Sequence, residues 1–99
     1  MRLLDKVQLS GQGVDKAPRP CMFYSTEGVQ LDEPAAMFRF ATEARVLVRQ
    51  DDKLEALVSP AGMTANHHGR EYRVIGLRHQ YNPRGKCLYH VLQLRDVQG

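Results

Sequence analysis

The residues of this chain best suited to bind a metal are its four histidines and two cysteines. His67 and His68 are adjacent and could supply two nitrogen ligands to a zinc ion. Further ligands would have to come from His79, His90, Cys21 or Cys87. Neighbouring side chains of an extended chain point to opposite sides, and no second pair stands at zinc-finger spacing. We therefore expect no metal site and no cofactor, and interpret His67 and His68 as solvated loop histidines.

Nucleophilic catalysis would need a cysteine or serine beside a general base, and the best set in the chain is Cys87, His90 and Asp96. No family signature surrounds Cys87, and no segment supplies an evident oxyanion hole. His79 and His90 fall inside predicted strands, where cross-strand pairing or a hydrogen-bonded core position is the more typical role. We expect no catalytic residue and do not expect the protein to be an enzyme.

Tyrosines interleaved with basic residues are typical of nucleic-acid binding, and one predicted hairpin carries such a pattern. Its members are Tyr72, Tyr81 and Tyr89 with Arg70, Arg73, Arg78, Arg84 and Lys86. Small barrels bind single strands by stacking bases on aromatic rings beside basic groups. Tyrosines on a hairpin more often pack across strands, and the net charge of +3 is modest. We therefore keep nucleic-acid binding as a second hypothesis for the function, behind the one that the resemblance below implies.

Length and composition predict one small globular domain. The chain has 99 residues, of which 42% are hydrophobic and 25% charged. It has no apolar run long enough to span a membrane and no apolar core of a signal peptide near its start, so we expect a cytosolic protein without membrane contact. In that compartment Cys21 and Cys87 are expected as free thiols, with a disulfide between them as the alternative.

The clearest structural signal is a β-hairpin with strands at 70–79 and 86–95. The turn Asn82-Pro83-Arg84-Gly85 combines a proline that fixes φ, an asparagine that bonds nearby backbone and a glycine that accepts positive φ. β-Rich runs flank it on both sides. The predicted core comprises Val46, Val48, Tyr72, Val74, Ile75, Leu88, Leu92 and Leu94.

Upstream of residue 50 the pattern is weaker. Residues 1–9 predict a short strand or a helical turn, and 10–20 predict a mobile loop because glycine and proline recur there. Residues 21–25 and 29–31 are β-prone, with a turn predicted at 26–28. Residues 35–50 fit a helix or a strand; we favour a strand for 45–49 and, less clearly, for 35–42.

Beyond residue 50, 54–58 fit one helical turn or a short strand, and 63–69 predict an exposed loop because they are small and polar. Short strands separated by frequent turns indicate an all-β or mainly β fold. We expect a small antiparallel barrel or sandwich over 1–99, with long loops at its two ends and at most one short helix.

Residues 44–94 resemble the small head–tail joining proteins of tailed bacteriophages, of the attachment or head-closure type. Those chains combine a strand of alternating valines, a Pro-x-Gly turn, a Gly-x-x-Tyr-x-Val strand and a last leucine-rich strand. The matching residues here are Val46, Val48, Pro60, Gly62, Gly69, Tyr72, Val74, Leu77, Leu88, Leu92 and Leu94.

The resemblance implies a structural virion protein, assembled in the host cytoplasm, that forms a homo-oligomeric ring between portal and tail. Such a ring helps seal the DNA exit, contacts portal or adaptor and tail proteins, and encloses a lumen through which DNA passes. The loops 10–20 and 64–69 would carry most of the contacts. The candidate contact residues are Lys16, Arg19, His67, His68 and Arg84.

Overall fold

The computed structural model describes residues 5–32 and 37–96, with side chains described within 5–25 and 43–96. These residues form strands β1 (Asp5–Ser10), β2 (Arg19–Asp32), β3 (Met37–Arg49), β4 (Thr64–His67), β5 (Arg70–Tyr81) and β6 (Cys87–Asp96), and one helix, α1 (Asp52–Glu55). The strands close into an antiparallel barrel in the order β1-β2-β3-β6-β5-β4. The mainly β class is confirmed, and the barrel replaces the sandwich alternative.

The predicted hairpin is present as β5 and β6, and its turn has the predicted chemistry. The Gly85 amide donates to the Asn82 carbonyl at 2.9 Å, and Gly85 has a φ of 84°. The Asn82 side-chain oxygen accepts from the Arg84 and Lys86 amides, each at 2.9 Å. Asparagine and glycine therefore satisfy the turn's polar groups and its left-handed position, which holds the two strands in register.

Most of the predicted core is buried, but Leu88 and Ile75 are exceptions. Buried as predicted are Val46, Val48, Tyr72, Val74, Leu92 and Leu94. Leu88 is 46% exposed, so its assignment to the core was wrong, and Ile75 is only half-buried. The β5–β6 register skips Ile75 on one strand and Leu88 on the other. Each is the extra residue of a β-bulge, which breaks the alternation from which a core is predicted.

The turn predicted at 26–28 is wrong, because β2 continues unbroken to Asp32. It pairs with β3 through twelve consecutive register positions, from Cys21↔Val48 to Asp32↔Met37. A ladder of this length overrides the local preference of one glycine. The strands favoured at 45–49 and within 37–42 are confirmed, whereas 35 and 36 lie outside the described residues.

The β2–β3 hairpin continues past the body of the barrel. Within the part of the chain that the structure describes, β1 pairs with β2 as far as Cys21, and β6 pairs with β3 from Glu43 onward. Among the described residues, 26–32 and 37–42 therefore pair only with each other. We call this two-stranded extension the ribbon.

The exposed loop predicted at 63–69 is wrong, because β4 forms there and closes the barrel. Ala65 pairs with Leu9 of β1 on one side and with Tyr72 of β5 on the other. Ala65 and Met63 are buried. A four-residue strand of small and polar residues carries almost no β signal, because its stability comes from the two neighbouring strands.

The segments around β1 and α1 resolve two alternatives. Residues 5–10 form a strand, and α1 is a single helical turn at 52–55. The predicted loop is irregular over 11–18, but it is anchored by buried Val14 and by the Gln12 side chain, which donates to the Ser59 and Ala61 carbonyls. Within the described ranges, no helix has both the length and the apolar character to cross a membrane.

Candidate functional site

The barrel has two chemically different ends. Ser10 at the end of β1 pairs with Thr64 at the start of β4, so the segments that follow β1 and β4 lie at opposite ends. One end, the loop end, carries 11–18, α1 and the turn at 82–85. The other, the ribbon end, carries the β4–β5 turn and the ribbon. The predicted contact residues divide accordingly: Lys16, Arg19 and Arg84 at the loop end, His67 and His68 at the ribbon end.

Arg19 is a structural residue of the loop end. Its guanidinium contacts the Asp51 carboxylate at 3.1 Å and donates to the Asp15 carbonyl at 3.0 Å. Asp51 also caps α1 by accepting from the Lys53 and Leu54 amides. Burial acts to raise the pKa of Asp51, but these amides and the Arg19 charge hold it below its usual value. The Arg19 side chain is only 14% exposed, whereas Lys16 and Arg84 are exposed.

Beneath the loop end, His79 and His90 form a linear series of hydrogen bonds with backbone groups at both of its ends. The Asp51 amide donates to Nε2 of fully buried His90 at 3.0 Å, so the His90 proton must sit on Nδ1. Nδ1 of His90 lies 2.9 Å from Nδ1 of His79, and Nε2 of His79 lies 3.0 Å from the Leu57 carbonyl. One proton per ring satisfies all three contacts, so the pair is a hydrogen-bonded structural element between β5, β6 and the segment around α1.

Cys87, His90 and Asp96 do not form a catalytic triad. Cys87 Sγ is 3.9 Å from His90 Nδ1, but Asp96 is at the opposite end of β6, roughly 30 Å away for an extended strand of that length. Burial, with the nearby Glu55 charge, raises the pKa of Cys87, so its thiol stays protonated. Burial also raises the pKa of Cys21 to about 11. Both cysteines are free, as expected, and both are buried.

At the ribbon end, two histidines share one carboxylate. Nε2 of His67 lies 2.5 Å from Oδ2 of Asp5, and Nε2 of His68 lies 2.8 Å from Oδ1. These hydrogen bonds, that from His67 first, hold the pKa of Asp5 well below its usual value. The His67 ring stacks on Phe23 with centroids 3.7 Å apart and planes 2° apart. The expectation that adjacent histidines point to opposite sides is therefore wrong here.

The reason lies in the β4–β5 turn. His67 pairs with Arg70, so His68 and Gly69 form a two-residue hairpin loop. Both have positive φ, 52° for His68 and 80° for Gly69, as a type I′ turn requires. The left-handed backbone at His68 ends the strand alternation and brings its ring back to the carboxylate that His67 contacts. The spacing of a short hairpin, His-Gly between β-prone residues, was the signal that could have revealed it.

The outer face of the sheet β3–β6–β5 is basic. Ala44, Val46 and Val48 point into the core, so the residues between them face outward. This face carries the exposed residues Arg45, Arg49, Arg73, Arg78 and Arg95. An open groove of about 460 Å³ crosses it, lined by Tyr24, Arg45, Leu47, Val91 and Gln93 among others. Sequence reasoning placed some of these groups on the hairpin but missed the contribution of β3.

Comparison of the chain with models of protein families, with curated proteins and with solved structures found no match to any of the three.

Proposed function

We propose that the chain is a structural virion protein of a tailed phage or prophage, a head–tail joining protein that forms a ring between portal and tail and helps seal the DNA exit. The residue pattern of 44–94 motivates this proposal, and the ribbon is the structural observation that carries it. The barrel supplies a rigid body, and the ribbon supplies an element suited to pair with another chain.

The physical argument concerns the edges of the ribbon. A two-stranded ribbon is only marginally stable by itself in water, and each of its outer edges presents backbone amides and carbonyls as a template for a further strand. Among the described residues, no strand covers those edges along 26–32 and 37–42. In a ring, each ribbon would contact the neighbouring subunit through a heterologous, closing interface.

The loop end supplies the second contact of such a ring. Its exposed cations Lys16 and Arg84 project from the loop 11–18 and from the turn of the β5–β6 hairpin. A portal or adaptor ring presents many equivalent sites at once, which raises the effective concentration of neighbouring subunits. The free protein is therefore monomeric or weakly associating, and the ring forms on its partner assembly.

The test removes the ribbon and keeps the barrel. Replacing residues 28–41 with Asn-Gly leaves the register pair Glu27↔Thr42 to close a two-residue hairpin. The variant should fold as a monomer yet fail to complement a phage that lacks the gene, which then accumulates filled heads and tails that do not join. Val58→Ser, at a fully exposed position remote from the ribbon, is the control and should complement. Normal virions from the ribbon-less variant would disprove the proposal.

The basic outer face supports a second candidate, binding of single-stranded nucleic acid. Arg45 and Arg78 line adjoining depressions on this face, and Tyr24 is exposed beside them, a combination suited to phosphates and stacked bases. Anisotropy titration with single-stranded DNA at physiological salt tests it. Sub-micromolar binding that Arg45→Glu abolishes, and that Arg84→Glu at the loop end leaves intact, would replace the ring proposal with this one.

A further inference from the structure

The cluster of Asp5, His67 and His68 has the composition of a metal site. Its ligand atoms, one from each side chain, all lie within 4.8 Å of one another. Two imidazole nitrogens and one carboxylate oxygen are a donor set that zinc takes with a water molecule at its fourth position. The ring-formation proposal makes no use of these contacts, and the barrel core does not contain them.

The backbone arranges these ligands in advance. Asp5 begins β1 and His67 ends β4, so two strands that meet in the closing seam of the barrel each contribute one ligand. The stack on Phe23 fixes the plane of the His67 ring. His68 occupies the first position of a left-handed turn, where asparagine, aspartate or glycine is usual. This position directs its imidazole toward the same carboxylate.

We propose that Asp5, His67 and His68 bind one zinc ion, through Nε2 of each histidine and a carboxylate oxygen of Asp5, with water as the fourth ligand. In a tetrahedral site the bonds of about 2.0–2.2 Å separate neighbouring ligand atoms by roughly 3.3 Å. The present distances are 2.5 Å from His67 Nε2 to one Asp5 carboxylate oxygen and 2.8 Å from His68 Nε2 to the other, so each contact must open by less than about 1 Å. No two of the three ligand atoms lie more than 4.8 Å apart, so the remaining adjustment is of a similar size. The His68 side chain is 69% exposed, which leaves it room to move and leaves one side of the cluster open to water.

Calorimetric titration of tag-free, chelator-stripped full-length protein with zinc chloride tests the proposal. We expect one zinc per chain and a rise in melting temperature on binding. His68→Asn is the decisive variant, because asparagine suits the left-handed turn but removes one ligand. It should weaken zinc binding by at least about tenfold and leave the melting temperature of the metal-free protein unchanged. Asp52→Asn, an exposed carboxylate at the other end of the barrel, should bind zinc as the original chain does.

Titration with Co²⁺ gives a spectroscopic signal that would not arise if the three side chains formed only an ion pair with one another. Co²⁺ in a four-coordinate site with nitrogen and oxygen ligands absorbs strongly in the visible range, and the bands should appear with the original chain and be absent with His68→Asn. Zinc binding weaker than millimolar would overturn the proposal, because the three residues would then form an ion pair only. Equal zinc affinity of the original chain and His68→Asn would overturn it as well.

Discussion

The two ends of the barrel each hold a pair of histidines, and the pairs differ in how many of their hydrogen bonds are already used. At the loop end, the ring nitrogens of His79 and His90 all make hydrogen bonds. Their partners are each other, the Asp51 amide and the Leu57 carbonyl. At the ribbon end, His67 and His68 both contact a single carboxylate, that of Asp5, and the His68 side chain is exposed. The same residue type thus has its hydrogen bonds satisfied inside the barrel in one place and shares a partly exposed carboxylate in the other.

The comparison shows that the two histidine pairs differ in burial and in how many of their hydrogen bonds are satisfied, and that their spacing in the sequence does not reveal this difference. His79 and His90 face each other as a cross-strand pair of β5 and β6, a regular position for a core contact. His67 and His68 are consecutive and meet only because the turn is left-handed. Saturated groups resist change because each loses a partner, whereas open groups can exchange one partner for another.

The largest effect should come from His90→Ala. The substitution leaves a cavity at a fully buried position and removes the acceptor of the Asp51 amide and the partner of His79. We expect the free energy of unfolding to fall by roughly 3–5 kcal/mol, measured by urea denaturation. A loss below about 1 kcal/mol would show that this series of hydrogen bonds does not stabilise the barrel.

The pH dependence of the free energy of unfolding should reveal the titration of His90 in the same histidine pair. Burial, and then the charge of His79, lower the pKa of His90 in the folded chain below its ordinary value of 6.5. Below pH 6.5 the unfolded chain therefore binds a proton that the folded chain does not. The free energy of unfolding decreases as the pH is lowered, until the lowered pKa of the folded chain is reached. We expect up to about 1.4 kcal/mol per pH unit, from urea denaturation between pH 7.5 and 4.5. The slope should flatten in His90→Ala, and an unchanged slope would contradict the assignment.

A smaller decrease in the free energy of unfolding is expected for His79→Gln than for His90→Ala. The glutamine side chain has an oxygen to accept from His90 and an amide to donate to Leu57, so the chain of bonds can re-form with poorer geometry. We expect a loss of about 1–2 kcal/mol by thermal and urea unfolding. A loss equal to that of His90→Ala would mean that the geometry of the imidazole ring itself, rather than its hydrogen bonds, is required.

The smallest effect on the metal-free protein should come from Asp5→Asn at the ribbon end. His68 is exposed and the Asp5 side chain is partly so, and ion pairs of this kind contribute about 0–1 kcal/mol. We expect a loss within that range in urea denaturation without metal. A loss of 2 kcal/mol or more, typical of a buried network, would make both histidine pairs structural and would remove the contrast between the ends.

The sequence predicted features that depend on local chemistry. The β5–β6 hairpin follows from Asn82 and Gly85, which act within four residues of each other. The mainly β class and six of the eight proposed core residues follow from period-two alternation, which persists wherever the ladder is regular. Such features need no knowledge of the neighbouring strands.

Features set by the backbone of distant segments were not predicted. The bulges at Ile75 and Leu88 arise from the register between two strands, and β4 is a strand because β1 and β5 flank it. The ribbon depends on twelve paired positions, which outweigh the apparent turn at Gly28. The cluster of Asp5, His67 and His68 forms only because His68 has a left-handed backbone conformation. A histidine in the sequence does not predict that conformation as a glycine would.

β1 decides how readily the barrel opens. Among the described residues, Asp5 to Val7 pair with β2 and Gln8 to Ser10 pair with β4, which gives β1 three register positions with each neighbour. The β2 residue opposite Lys6 is Pro20, which has no amide hydrogen to donate to β1. The amides of β1 should therefore exchange with deuterium sooner than those of β6. Because opening would carry Asp5 away from His67 and His68, any cation held by all three would slow that exchange.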